Sequence, residues 1–320
     1  MTNTEHLSSR VPDALAGMRL DQALAEMFAS YSRARLQQWI RGGQVTVDAR
    51  QWRAKDKVLG GEQIELTAML AEEVTSLPQA IPLHIVYEDE HLLVINKPAG
   101  LVVHPAAGNH DGTMLNALLH YAPELVHVPR AGIVHRIDKE TSGLLVVART
   151  LTAQTDLVQQ LQERSIEREY EAVAMGVMTS GGSVDAPVGR HAVDRKRMAV
   201  TRSGKPAVSH YRVVERFRIH THIKVHLETG RTHQIRVHMA YIHHSLLGDP
   251  VYGGRLRMPP GSSESLMATL RTFKRQALHA ARLALQHPES GEPMEWHAPL
   301  PDDMTTLIKA LHDDRVSREE

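Results

Sequence analysis

GIVHRIDKETSGLLVVA, residues 132–148, sets two apolar runs of strand-like composition around the polar centre HRIDKETS. Short runs of aliphatic and β-branched residues read as buried strands, and the charged residues between them read as a loop. Asp138 therefore falls where a sheet would hold a side chain out at a loop tip, a common place for a binding or reacting group. A carboxylate is ionised at neutral pH and can attack an electrophilic carbon without a metal or a base to activate it. Taken alone, Asp138 reads first as a turn cap or as a partner for Arg136 or Lys139. Glu140, two residues on, adds another reading, an acid pair of the kind that cleaves glycosidic bonds.

Working outward, the chain is rich in strands and its helices do not alternate with them. The runs HLLVIN, GLLVVA, REYEAVAMG, SHYRVVERF and HIKVHLE have β-rich composition, whereas Thr113 caps a helix through Tyr121 and a second helix covers about Leu151 to Arg164. The absence of regular βαβ alternation predicts an α+β domain around a central mixed, mainly antiparallel sheet. In LETGRTHQIRVHMA a strand and a tight turn at Thr229 and Gly230 lead to a helix whose first turns hold Arg231, His233 and Arg236. Arginines there can bind phosphate or hold a carboxylate in a bidentate fork. His233 and His238 would lie about 140° apart on a helix, so no metal site is expected.

Upstream, Leu20, Leu24 and Phe28 share a helix face, and Ser32 caps a second helix to Arg41 with Leu36, Trp39 and Ile40 inward and Arg33, Arg35 and Arg41 outward. Strands follow on either side of a turn at Asp48 and Ala49. The expected domain order is a flexible lead over 1–12, a small αα-then-ββ unit over 13–68, a linker over 69–82 and a large domain over 83–320.

Bulk properties narrow the classes. The chain has 320 residues, 42% hydrophobic and 23% charged, with no apolar run long enough to span a bilayer and no secretory signal at its start. It holds no cysteine, which removes disulfides and zinc–thiolate sites and fits a cytoplasmic location. Lys plus Arg equals Asp plus Glu at 37 each, so the information is in the distribution. Between Arg190 and Arg218 nine basic residues (Arg190, Arg195, Lys196, Arg197, Arg202, Lys205, Arg212, Arg216, Arg218) face only Asp194 and Glu215, an excess suited to a phosphate backbone or to a solvated charged face. Gly108 and Gly112 match no phosphate-loop spacing.

Four segments taken together, INKPAGLVVHP at 95–105, HRIDKETSG at 135–143, REYEAV at 168–173 and ETGRTHQIRVH at 228–238, resemble the ordered motifs of the RluA/RluC/RluD family of ribosomal RNA pseudouridine synthases. The N-terminal unit resembles the small S4-like RNA-binding domain that this family often carries. PAAGNHDGTMLNALLHYAPEL, MAVTRSGKPAVSHYRV and MEWHAPLPDDM look most like the RluD type, which acts on the helix sixty-nine stem-loop of large-subunit ribosomal RNA; RluC-type relatives share motifs and domain order. Ile137 and Glu140 depart conservatively from the leucine and aspartate usual at their positions.

The resemblance implies a cofactor-free isomerase in which Asp138 is the nucleophile, Tyr170 and Arg236 complete the catalytic set and Arg136 fills the space left by the target base. His135, Thr141, Arg231, His233, Arg33, Arg35 and Arg41 are the expected substrate contacts. Attack on the ribose, attack on the base and proton removal to a glycal are all open to Asp138, the last being preferred. Large-subunit ribosomal RNA or a pre-50S particle is the expected partner, with no membrane, and a monomer is the default state. The rival readings are a non-catalytic RNA-binding assembly factor and a glycosidic hydrolase using Asp138 and Glu140.

Overall fold

Alternation of apolar side chains, strand by strand, shapes both halves of this chain. The computed structural model describes residues 3–28, 31, 33–70, 76–106, 108–194 and 197–318, and the chain divides into two compact units, Met1–Thr75 and Ser76–Glu320.

The first unit contains β1 (Asn3–Arg10), α1 (Leu20–Met27), α2 (Arg33–Arg41), β2 (Val45–Val47) and β3 (Gln63–Leu70), with the strands in the antiparallel order β1-β3-β2. Leu20, Leu24, Leu36, Trp39 and Ile40 close over Val45, Val47 and Ile64 to make its core. Asp48 and Ala49 take the positive φ values, 48° and 62°, that a tight reversal requires. The expectation of a flexible lead is corrected over Asn3–Arg10, which pairs residue for residue with Gln63–Leu70. Its sequence is too polar to look like a strand; a partner some sixty residues away orders it.

Of the arginines of α2, Arg33 and Arg41 are exposed. Arg33 donates to Asp21 Oδ2 through Nη2 at 2.7 Å and Nε at 3.0 Å, while Arg19 Nε reaches Asp21 Oδ1 at 2.9 Å. Asp21 is fully buried, and a buried carboxylate must be paired, so Arg33, whose side chain is 46% exposed, is also a structural partner of Asp21. Arg41 is exposed, its Nε donating to the Gln37 carbonyl at 3.1 Å. The Ser32 cap and the Arg35 side chain lie outside the described residues.

The second unit runs β4 (Ile85–Glu88), β5 (Leu92–Lys97), α3 (Met114–Tyr121), β6 (Ser142–Ala148), α4 (Leu151–Glu163), β7 (Glu167–Met175), β8 (Gly182–Asp185), β9 (Val188–Arg190), β10 (Met198–Val200), β11 (Val208–Arg216), β12 (His220–Leu227), α5 (Gln234–Tyr241), α6 (Glu264–Thr272), β13 (Leu278–Gln286), β14 (Pro293–His297) and α7 (Asp302–Val316). Its nine-stranded sheet has the order β4-β5-β6-β13-β7-β12-β11-β8, with β14 on β13. Every pairing in it is antiparallel except β6 with β13, so the fold is α+β on a mixed, mainly antiparallel sheet. β9 and β10 form a separate hairpin.

Period-two side-chain alternation explains the continuous apolar runs. In β5 and β6, Leu93, Ile95, Leu145 and Val147 enter a core closed by Met114 and Leu118 of α3 and by Ile235 and Met239 of α5. Leu92, Val94, Leu144 and Val146 enter the opposite core with Ala153 and Leu157 of α4. Thr113 caps α3 in a reciprocal capping box with Asn116. The linker expected over 69–82 is shorter than read: β3 extends to Leu70, and Asn116 Nδ2 donates to the Leu77 carbonyl while Gln79 N donates to the Asn116 carbonyl. Among the described residues no helix is long and apolar enough to cross a membrane.

Three residues of the basic run are engaged within the unit. Arg212 pairs with Glu169, Arg216 bonds the carbonyls of Met178 and Thr179, and Arg218 pairs with Asp314; Arg195 and Lys196 lie outside the described residues.

Candidate active site

Asp138 sits in the loop entering β6, and that loop is pinned at four successive residues. Lys97 and Gly100 donate to the Lys139 carbonyl at 2.9 Å each, Arg275 to that of Glu140 at 3.2 Å, and Gln276 Nε2 to Thr141 Oγ1 at 3.1 Å. Ser142 Oγ meets His279 Nδ1 at 2.9 Å. Gly143 then crosses β13 so closely that a Cβ would lie 2.3 Å from the Ala280 carbonyl oxygen, and its φ of +113° excludes other residues on the same ground. The run before Asp138 is not the strand expected from GIV; only Ile133 bridges to Val147.

Arg236, in the first turn of α5, donates to Asp138 Oδ2 from Nη1 at 2.9 Å, and its Nε and Nη2 form a fork with Asp249 at 2.7 and 2.9 Å. Asp249 also accepts from the amides of Val251 and Tyr252. Burial opposes ionisation of Asp249, but the Arg236 fork and these amides hold its carboxyl below the usual range. A guanidinium fixed from behind by one carboxylate thus presents its remaining edge to the other.

His233 precedes α5 in a left-handed conformation, φ 57°, so it and Arg231 stand outside the helix in which they were expected. Tyr252 Oη accepts from Met198 N at 2.9 Å and meets His233 Nδ1 at 2.9 Å. With the Tyr252 proton directed at Nδ1, the network assigns the His233 proton to Nε2, which faces Asp138 Oδ1 at 3.8 Å. Burial lowers the His233 pKa against the pull of Asp138, which favours that neutral form. His238 is buried with both ring nitrogens engaged, by Ser209 Oγ and the Ala186 carbonyl.

Asp138, Arg136, Tyr170, Arg231, His233 and Arg236 line one narrow slot of about 70 Å³. Beside it lies an open cleft of about 890 Å³ that shares Arg136, Arg168, Gly230 and Arg231 with the slot and adds Arg130 and Arg164. Glu140 lines neither, so the acid-pair reading finds no second carboxylate in the slot.

Residues 91–241 match the RNA pseudouridylate synthase family, and residues 18–64 match the S4 domain. The chain is 59% identical over 315 residues to the Ribosomal large subunit pseudouridine synthase D of Escherichia coli, covering 98% of this chain and 97% of that one. This chain belongs to the RNA pseudouridylate synthase family. The protein of the same name from Pseudomonas aeruginosa is 58% identical over 98% of both chains. Among solved structures, Human RNA Pseudouridylate Synthase Domain Containing 4 aligns with TM-score 0.58 and 26% identity over 72% of this chain and 93% of its own.

Against that family background, the motif residues divide into those that face the slot and those that build it. Tyr170, on central strand β7 between β13 and β12, is buried, which raises its pKa and keeps the phenol protonated. His135 lines the cleft, but its Nε2 accepts from Val146 N at 3.1 Å and burial pulls its pKa down to about 3, so it stands as a neutral wall. Thr141, expected to touch substrate, is 1% exposed and holds the loop instead. Gln234 uses both ends of its amide, accepting from Thr229 Oγ1 and Arg231 N and donating to the Val208 carbonyl and Ser209 Oγ, so it shapes the turn that aims Arg231.

Sequence reasoning missed Asp249, Lys97, Arg168 and Tyr252. Lys97 is fully buried and its ammonium donates to three carbonyls, those of Pro98, Leu101 and Lys139. It was legible only as part of INKPAG; GDPVYGG, which holds Asp249 and Tyr252, offered no spacing that pointed to Arg236.

Proposed function

We propose that this chain isomerises uridine to pseudouridine in large-subunit ribosomal RNA, with Asp138 as the group that opens the reaction. The observation that carries the reading is the carboxylate of Asp138, held by Arg236 beside buried Tyr170 in a slot that opens on an arginine-lined cleft. Family membership and the high identity to proteins named for that activity support it.

The chemistry needs the bond between N1 of uracil and C1′ of ribose to break, the base to turn, and a bond from C5 to C1′ to form. The C5 proton leaves and N1 gains one, so no redox step or group donor enters. Arg236 keeps Asp138 aimed through a charge-assisted hydrogen bond of 2.9 Å. Tyr170 walls the ring and, as a neutral phenol, can pass a proton at C5. The base must leave its stack to enter the slot, at a cost of a few kcal/mol that is least in a loop. Arg136, exposed and lining both slot and cleft, would occupy the vacated space.

Resemblance to the RluD type, with the synthase D relatives, favours the helix sixty-nine stem-loop as target and large-subunit ribosomal RNA or a pre-50S particle as the partner; a single cytoplasmic chain is the default acting form. Tritium release from carbon-5-labelled uridine tests the reaction. Carbodiimide-dependent primer-extension stops in large-subunit RNA from cells lacking the protein test the target. Lost stops in helix sixty-nine are expected; intact stops there with loss elsewhere would move the assignment to an RluC-type target, and free uracil as product would mean hydrolysis.

A further inference from the structure

Arg168 lies on β7 two residues before Tyr170, hence on the same face of the strand. It is only 7% exposed, yet among the described residues its Nε has no hydrogen-bond partner and no carboxylate pairs with its guanidinium. A buried guanidinium left without a counter-charge is costly, and the free chain tolerates one chiefly where a ligand supplies the charge. The cleft offers none: Arg136, Arg164 and Arg231 share it, and its one acidic lining residue, Glu228, is taken by Arg164 at 2.9 Å and His210 at 2.7 Å, while Asp138, which lines the slot with Arg168, is paired with Arg236 at 2.9 Å.

Arg168 also lines both spaces, the large cleft and the Asp138 slot, and so stands at the threshold between them. Gly230 keeps that threshold open, because a Cβ there would lie 2.8 Å from Arg168 Nη1. A planar fork of donors suits an anion with two adjacent oxygens.

We propose that Arg168 is a phosphodiester-binding site, taking the backbone phosphate next to the nucleotide whose base enters the Asp138 slot. The inference rests on the RNA reading above and adds to it the group that sets register. A phosphate is joined to the glycosidic carbon through a single ribose, so anchoring it at the threshold fixes how far the base reaches toward Asp138. Phosphate contacts position a nucleic acid in this way without reading its sequence.

The experiment uses the full chain and a tritiated stem-loop RNA from the large subunit, with binding and turnover read separately for wild type, Arg168→Met, Arg168→Lys and Gly230→Ala. Arg168→Met should raise KM and Kd on the order of 10- to 100-fold, the range for one charge-assisted contact. It should flatten the slope of log Kd against log salt by about 0.7 to 1, with a smaller change in kcat. Arg168→Lys should recover the salt slope but only part of the affinity. A methylphosphonate beside the target uridine should weaken wild type by the same factor and leave Arg168→Met unaffected. Should Arg168→Met fail to fold, Gly230→Ala keeps the charge but crowds the guanidinium and should raise Kd by itself. Unchanged Kd and salt slope in the variants, or equal sensitivity of wild type and Arg168→Met to the neutral linkage, would overturn the proposal. Wild type that binds RNA but releases no tritium would strike the functional reading instead, while the salt slopes still decide the fate of Arg168.

Discussion

A carboxylate in a charged loop is ordinary; what sets Asp138 apart is an arginine that cannot turn away from it. Arg236 is 4% exposed and its guanidinium is fixed from behind by Asp249, so its one remaining edge meets Asp138 at 2.9 Å. Replacing Asp138 by Asn keeps the shape and removes the reacting charge, and tritium release should fall on the order of 10⁴-fold or more; near-normal release from the purified variant would end the mechanism proposed here. Asp249→Ala leaves Arg236 buried with half its partners, and urea denaturation should register a loss of about 3–5 kcal/mol, the range for breaking one side of a buried pair. That variant should also lose kcat, because Arg236 is then free to rotate away from Asp138. None of this was readable from HRIDKETSG, where Asp138 competes with turn-capping and pairing to its own neighbours.

At the scale of elements, the helices and strands that carry one strong local pattern were legible. The Thr113 cap of α3, the α4 span and the apolar runs of β5 and β6 follow from spacing that each segment contains within itself. Lys97 marks the limit, since its three carbonyl acceptors belong to two loops brought together by the β5–β6 pairing. Lys97→Met would strand those carbonyls, and thermal melts should show a destabilisation of about 2–5 kcal/mol. Asp21 plays the corresponding part in the first unit, joining α1 to α2. Burial works against its charge, but the bonds from Arg19, Gln37 and Arg33 prevail and lower its pKa from 3.8 to about 2. A depressed carboxyl stabilises the fold fully above its unfolded pKa and loses that contribution as pH falls through the folded value. The first unit, followed through the fluorescence of Trp39 and Trp52, should therefore weaken between about pH 4 and 2, and Asp21→Asn should flatten that stretch of the curve; an unchanged slope would remove Asp21 from the account.

Across the whole molecule, each unit closes its own hydrophobic core, around Leu20, Leu36 and Ile64 in one and around Ile95, Leu145 and Ile223 in the other. The residues that line the slot all belong to the second unit, while the S4 match lies in the first. Deleting residues 1–75 should leave kcat at saturating RNA near wild type and raise KM on the order of 100-fold, as expected when one of two linked binding modules is removed; a steady-state titration with stem-loop RNA measures both.

The sequence by itself determined the α+β class, the motif residues and several of the strand-forming runs, because these depend on patterns a few residues long. Tertiary structure alone decided which of those residues face the slot. The parallel step from β6 to β13 carries Ser142 to His279, and α5 brings Arg236 to Asp138 across 98 positions of chain. Local spacing cannot encode such meetings. They arise when burial of the sheet's two faces fixes the register, and the buried charges it gathers, Asp249, Lys97 and Arg168, acquire their roles only from the neighbours that register supplies.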